Sequence, residues 1–334
     1  MDSCLSVSSD ERWLALAFGP HLRVLDVPAQ KIVFEISLSG GESKDATEED
    51  HKEDAGVGEE GEKVVSKKRK KKMKKKNYTA DKKQMIPFVP HIRFVAFNSD
   101  NSVMACGGDD KVVRVFSTST WVQTAATEPS LMGKKITHGL FVGDKDTLLV
   151  VDKTGDILSF EPTLSQSPVV ELGHFCLVTG LQVAPRQDKL LSVDVEGKLR
   201  ISRFPEMYDI LGFGLGHTGF VVCVAAVPNS HMCVTGGENG EIKLWDLAAE
   251  PVLCLDTVSL SLPQPPGTCA YVSHIWVDSS SGELSQKVLA SSNTSNVVHV
   301  FSVQKSKLQK VQEVEVPFVP SSISSSSSSS SSSS

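Results

Sequence analysis

Residues capable of chemistry are abundant in this chain, but they are not grouped for it. Nine His stand at 21, 51, 91, 138, 174, 217, 231, 274 and 299, and seven Cys at 4, 106, 176, 223, 233, 254 and 269. Neither H-E-x-x-H nor C-x-x-C occurs, so the spacings that hold zinc or cycle a dithiol are missing. A G-x-S-x-G elbow and a P-loop are missing too. Gly212-Phe213-Gly214-Leu215-Gly216 has the glycine density of a nucleotide loop. Such a loop needs a strand before it and a helix after it, whereas here it runs into Gly216-His217 between β modules and reads as structural. These patterns predict no catalytic residue, no metal site and no cofactor in this chain.

The strongest remaining signal is electrostatic. Residues 42–62 hold ten acids and two lysines, and residues 63–83 hold twelve basic residues and one Asp. Within the second block, Lys67, Lys68, Arg69, Lys70, Lys71, Lys72, Lys74, Lys75 and Lys76 form a run that suits a nuclear import receptor or, as a second reading, RNA phosphates. The lysines have no interleaved aromatic residues, so base stacking is not expected. Blocks of like charge repel and bury little, which predicts a disordered insertion over 42–85. Residues 317–334 end in an unbroken serine run from 324 and are expected to be a disordered tail.

The whole chain is less unusual. It is 40% apolar and 22% charged with a net charge of −6, as in a soluble globular protein and unlike a uniformly basic nucleic-acid binder. An odd number of Cys and no secretory signal predict reduced thiols inside the cell. The longest apolar stretch, around Phe220 to Val227, is far short of the roughly 18 residues of a membrane span.

What must position these residues is a repeat. Short Val/Ile/Leu-rich strands alternate with tight turns such as Thr154-Gly155 and Asn239-Gly240, and no long stretch has helical periodicity. Aligning the third strand of each unit puts Val24, Val115, Ser159, Ile201, Leu244 and Val300 in one column. The three middle spacings are 44, 42 and 43 residues, close to the 40–45 residues of a four-stranded propeller blade. The prediction is an all-β propeller of about six recognisable blades, the first over 1–41 and the others over 86–316.

Gly216-His217 and Trp245-Asp246 resemble the two ends of the WD-repeat signature. The resemblance implies a hydrogen-bonded network inside that blade, made by His217, Thr235, Trp245 and Asn239, with Asn239 in place of an acid. Lacking a charge, Asn239 is expected to weaken it. A narrower resemblance runs from Leu148 to Asp246. It rests on Val151-Asp152-Lys153-Thr154-Gly155-Asp156, Glu171-Leu172-Gly173-His174, Val183-Ala184-Pro185, Lys198-Leu199-Arg200-Ile201-Ser202 and Leu215-Gly216-His217-Thr218. This stretch is similar to the non-catalytic WD-repeat subunits of tRNA (guanine-N7-)-methyltransferase.

That family implies a scaffold that forms a heterodimer with a separate catalytic subunit, and the basic run adds the expectation that it works in the nucleus. The partner carries S-adenosylmethionine and forms N7-methylguanosine in the tRNA variable loop. The resemblance places the contact on Asp194, Glu196, Lys198 and Arg200, with Lys153 nearby, and gives Arg200 an acid of the partner to grip. It also implies seven blades, of which the seventh is missing or truncated here, leaving either an open ring or one completed by a strand from residues 3–8. The alternative reading is a WD-repeat adaptor of a ubiquitin ligase or ribosome-assembly complex.

Overall fold

The computed structural model describes residues 3–38, 89–278 and 286–317. The charged segment at 42–85 and the tail from 318 onward lie outside these residues. The described chain forms six four-stranded antiparallel sheets, each made of strands consecutive in sequence. Sheet I comprises β1 (Ser3–Val7), β2 (Trp13–Phe18), β3 (His21–Asp26) and β4 (Lys31–Ser37). Sheet II comprises β5 (Ile92–Phe97), β6 (Val103–Gly108), β7 (Val113–Ser117) and β8 (Gln123–Ala126). After a single helical turn, α1 (Pro129–Met132), sheet III comprises β9 (Ile136–Val142), β10 (Thr147–Asp152), β11 (Asp156–Phe160) and β12 (Val169–Gly173). Sheet IV has β13 (Val178–Val183), β14 (Lys189–Asp194), β15 (Leu199–Arg203) and β16 (Ile210–Gly214). Sheet V has β17 (Val221–Ala226), β18 (Met232–Gly237), β19 (Glu241–Asp246) and β20 (Leu253–Ser259). Sheet VI has β21 (Val272–Asp278), β22 (Gln286–Ser292), β23 (Val297–Gln304) and β24 (Lys307–Glu315).

Turn chemistry recurs in the same way around the fold. Between first and second strands, Glu11, Asn101, Asp146, Gln187 and Asn229 each adopt a left-handed φ of 51–60°. Between β18 and β19, Asn239 and Gly240 both have positive φ (58° and 75°), the backbone a two-residue hairpin requires. The aligned column falls entirely on third strands, with Val24 opposite Ala15, Val115 opposite Ala105 and Ser159 opposite Leu149. Ile201, Leu244 and Val300 likewise lie opposite Leu191, Val234 and Leu289.

Because side chains alternate across a strand, the column residue defines a front face for every sheet and its neighbours define a back face. The front of one sheet packs on the back of the next. Ala15 and Val24 of sheet I meet Met104 and Phe116 of sheet II, and Ala105 and Val115 meet Leu148 and Phe160 of sheet III. Leu149 and Ile157 then meet Leu190 of sheet IV, and Leu191 and Ile201 meet Cys233 and Trp245 of sheet V. Val234 and Leu244 close the series on Val288 and Phe301 of sheet VI. Burying one such side chain is worth about 1.5–3 kcal/mol, so these five junctions hold the sheets radially. The first strands of neighbouring sheets lie side by side, from β1 beside β5 to β17 beside β21. This is a β-propeller with six four-stranded blades. β1 is hydrogen-bonded to β2 of its own sheet, so the N-terminal strand does not complete the last one.

Close packing at one junction depends on missing side chains. The buried Phe94 ring lies between Gly107 and Gly139, and a Cβ built on either glycine would come within 2.7 or 2.6 Å of it. Gly139→Ala is therefore expected to destabilise the fold by about 1–3 kcal/mol through overpacking, measured as a lower denaturation midpoint. An unchanged midpoint would show that the junction yields freely.

Candidate functional site

Four neighbouring sheets each place a carboxylate just before, within or just beyond the turn between second and third strands, with a base brought up against it. In sheet II, Asp109 accepts Arg93 Nε and Nη2 at 3.1 Å each, and the His91 N–H at 3.4 Å. In sheet III, Asp152 Oδ1 accepts the N–H of Thr154 at 2.8 Å and of Asp156 at 3.2 Å, while Lys134 Nζ lies 3.4 Å from Oδ2. In sheet IV, Asp194 Oδ1 accepts the N–H of Glu196 and Lys198, and Oδ2 faces His174 Nδ1 at 3.4 Å. His174 Nε2 lies 2.8 Å from Ser192 Oγ.

Sheet V corrects the expectation for Asn239. The carboxylate against His217 belongs to Glu241, with Oε2 2.9 Å from Nδ1. Asn239 instead sits in the left-handed turn, and its backbone N–H donates to the Ala270 carbonyl. Trp245 Nε1 donates to Thr235 Oγ1 at 2.8 Å; because the Glu241 carboxylate facing Nδ1 can only accept, the neutral His217 ring accepts the Thr235 hydroxyl proton in a hydrogen bond at Nε2, 2.7 Å away. That leaves the ring proton on Nδ1, facing Glu241. Burial holds His217 neutral, with a pKa lowered to about 4. Burial pushes the Glu241 carboxyl up, but the Thr218 N–H, Lys243 and His217 together bring it below the usual range. The network thus keeps a charged acceptor, supplied two residues after the expected position.

An acid, an imidazole and a hydroxyl in line have the outline of a hydrolytic triad. Here Ser192 and Thr235 are buried, so neither hydroxyl opens onto a space where a substrate carbonyl could sit. Cys176, close to Asp194, is no better a nucleophile: burial and that carboxylate push its thiol up to about 11. Among the described residues, no three His, Cys, Asp or Glu are grouped to hold a metal ion.

The five residues assigned to the partner contact separate into two kinds. Lys153 is exposed in the β10–β11 turn of sheet III. Glu196 is exposed and Lys198 half-buried in the matching turn of sheet IV, and they pair with one another. Asp194 is buried and fully engaged by His174 and two backbone N–H groups, so it is a structural residue and not a contact. Arg200 also departs from the expected solvated edge, being only 7% exposed. Its Nη1 donates to the Gly173 carbonyl of sheet III at 3.0 Å and its Nε to Ser202 Oγ at 3.1 Å. Burial lowers its pKa.

Arg200 occupies the third-strand position immediately before the column residue. Equivalent basic side chains in other sheets have acids: Arg23 has Glu35, Arg114 has Asp110, Lys243 has Glu241, and the imidazole of His299 faces Glu313. Among the described residues no carboxylate pairs with Arg200, and its Nη2 has no hydrogen-bond partner. Phe213 lies directly across from it on β16. Phe213, Leu215 and Phe175 are exposed, Phe175 completely. The sequence signal for this patch was the Gly/apolar alternation of 212–216. Gly212 and Gly214 face Val252 and Trp245 closely, which turns Phe213 to the other side. The segment that could pass for a nucleotide loop is mostly the outer strand of sheet IV.

Residues 14–171 and 161–334 match the family described as tRNA methyltransferase TRM82 WD40 domain. The chain is 26% identical over 190 residues to a protein of Dictyostelium discoideum named tRNA (guanine-N(7)-)-methyltransferase non-catalytic subunit wdr4, a match covering 51% of this chain and 40% of that one. It is 28% identical over 177 residues to the Mus musculus protein of the corresponding name, covering 51% and 42%. The matches therefore span less than half the length of these relatives. The solved structure titled "Structure of U3-55K" has the same fold, with a TM-score of 0.68 at 16% identity over 97% of this chain and 85% of that one.

The buried histidines make stability pH-dependent in a defined direction. His217, His138 and His274 are lowered from an ordinary 6.5 to about 4 by burial. They protonate first in the unfolded chain, so stability falls as pH drops from about 6.5 to about 4, by about 3 kcal/mol for His217. Asp194 and Glu241, lowered in the fold, extend the loss as pH falls through their folded pKa values. Melting temperature is expected to decline steadily from pH 7 to pH 4, with a shallower decline in His217→Gln; a flat profile would contradict this.

Proposed function

The chain belongs to the tRNA methyltransferase TRM82 WD40 domain family, and from that membership we propose that it is a non-catalytic scaffold. It binds the catalytic subunit of a tRNA (guanine-N7-)-methyltransferase as a heterodimer and supports formation of N7-methylguanosine in the tRNA variable loop. S-adenosylmethionine is held by the partner. The chain contributes a rigid surface that keeps the partner's active site in its productive geometry. The run from Lys67 to Lys76, outside the described residues, is proposed to carry the complex into the nucleus through an import receptor.

The observation that carries this reading is the unmatched cation. A guanidinium withdrawn from water without a carboxylate is costly, yet Arg200 is the one third-strand cation of its class without an acid among the described residues. An acid from a partner would supply the missing charge, and the planar fork suits a carboxylate. Phe213, directly across from it, is exposed, as are Leu215 just beyond β16 and Phe175, two residues after the Gly173 carbonyl that Arg200 binds, and aromatic and Arg anchors are the combination found at interface centres. Lys153, Glu196 and Lys198 form a charged rim.

Arg200→Glu is expected to weaken capture of the methyltransferase subunit by roughly 30-fold or more, the range of a hot-spot residue, and to lower tRNA methylation in parallel. Phe175→Asp alters a fully exposed side chain and is expected to weaken capture without changing the melting temperature. Capture unaffected by both substitutions would remove this face from the proposal. Purification of the full chain with a ubiquitin ligase or ribosome-assembly complex as its stoichiometric partner would overturn the function itself.

A further inference from the structure

The first strands of sheets I, II and III end beside one another, and a cavity of about 350 Å³ lies between their ends. Its walls are the last residues of β1, β5 and β9: Val7, Ala96, Phe97, Leu140, Phe141 and Val142. The turns into the second strands form its rim, and hydrogen bonds brace that rim across two junctions. Between sheets I and II, the Ser9 N–H donates to Asn101 Oδ1 at 3.0 Å and Asn101 Nδ2 donates to Ser9 Oγ at 2.7 Å. Between sheets II and III, Asn98 Nδ2 donates to Asp146 Oδ2 at 2.9 Å and the Ser99 N–H to Asp146 Oδ1 at 3.1 Å. The opening is therefore set by the fold itself, as in preformed ligand sites.

Charge and shape say what fits. Among the described residues that line the cavity, Asp146 is the one that carries a charge, and it is half-buried. Each of its oxygens accepts one of the bonds above and keeps a second lone pair. The Ser6 hydroxyl and the Gln187 amide, also in the lining, have no hydrogen-bond partner among the described residues. A carboxylate with spare acceptor capacity beside apolar and aromatic walls suits a cation on an apolar stem. Sites for small ligands run from about 300 to 1,000 Å³, so this one has room for a single long side chain. No basic residue lines it, so nothing there would hold the α-carboxylate of a free amino acid.

We propose that this cavity receives the side chain of an arginine presented by a partner polypeptide. The guanidinium meets Asp146, its remaining N–H groups turn to Ser6 and Gln187, and its methylene stem lies against Phe97, Leu140 and Phe141. Arginine is favoured over lysine because its planar fork offers five donors and packs flat against aromatic rings. Asn98 and Ser99 already hold the carboxylate in place, so its orientation costs nothing at the moment of binding. The cavity lies at the first-to-second turns, the opposite ends of the strands from the turns that carry Lys153, Glu196 and Lys198. It therefore neither rests on the proposed methyltransferase contact nor shares its surface.

Titration of the full-length chain with N-acetyl-arginine methylamide, followed by NMR of its Val and Leu methyl groups, tests the proposal. Saturable shifts are expected at Val7, Leu140 and Val142, with a dissociation constant in the millimolar range that suits one side chain. The citrulline analogue has the same shape without the charge and should bind roughly tenfold more weakly. Gln187 is exposed, so its replacement leaves the fold and the melting temperature unchanged. Gln187→Glu adds a second carboxylate and should tighten binding roughly fivefold, and Gln187→Lys should weaken it by about the same factor. Absence of saturable shifts at these methyl groups overturns the proposal, as does citrulline binding as tightly as arginine. Binding indifferent to the sign of the charge at position 187 overturns it too.

Discussion

A carboxylate at the second-to-third strand turn, held by a base arriving from just before or within the first strand or its approach, is the constraint on which the central sheets depend. The base is Arg93, Lys134, His174 or His217 and the acid is Asp109, Asp152, Asp194 or Glu241. Each clamp ties the entrance of a sheet to its tightest hairpin and so fixes the register between strands that are only partly specified by their own propensities. In sheet V the acid comes from the far side of the turn, at the start of β19, and in sheet IV from the near side, at the end of β14. The geometric task is the same, and a buried hydroxyl completes it in both.

The clamps explain why residues that look chemical do none. Burial deprives Ser192 and Thr235 of a reaction space, and desolvation with the neighbouring Asp194 deprives the half-buried Cys176 of a ready thiolate. Polar groups in this fold are spent on holding sheets in place, and what remains for recognition is their outer edges and the ends of their strands. Arg200 is the exception that links the two roles. It braces sheet IV against sheet III through the Gly173 carbonyl, yet among the described residues no carboxylate pairs with it. A residue of that kind couples the integrity of the fold to the arrival of a partner, because the same side chain serves both.

Modular stacking has a further consequence. Every sheet packs front against back on its neighbour, and among the described residues no buried apolar cluster joins sheet VI to sheet I. The exposed Leu16 and Phe18 and the half-buried Leu289 are the visible result. The five junctions between the described sheets make a stiff array.

The sequence by itself determined the repeat. Val/Ile/Leu alternation, Asn/Gly turns and spacings near 43 residues can be satisfied by little other than stacked four-stranded sheets, and the column from Val24 to Val300 lies on six third strands. The resemblance of Leu148 to Asp246 to one family was equally legible, because it rests on contiguous residue types. Tertiary structure decided everything that depends on which neighbours a side chain meets. Glu241 takes the place expected of Asn239 because the turn aims the backbone of Asn239, and not its side chain, at its neighbour. Asp194 is internal although Glu196, two residues on, is exposed, and Arg200 meets Phe213 only once β15 pairs with β16 and the Gly173 carbonyl only once sheets III and IV pack together. Periodicity is a local property written along the chain; burial and ion pairing arise between segments distant along it, and spacing alone cannot rank one acid above another three residues away.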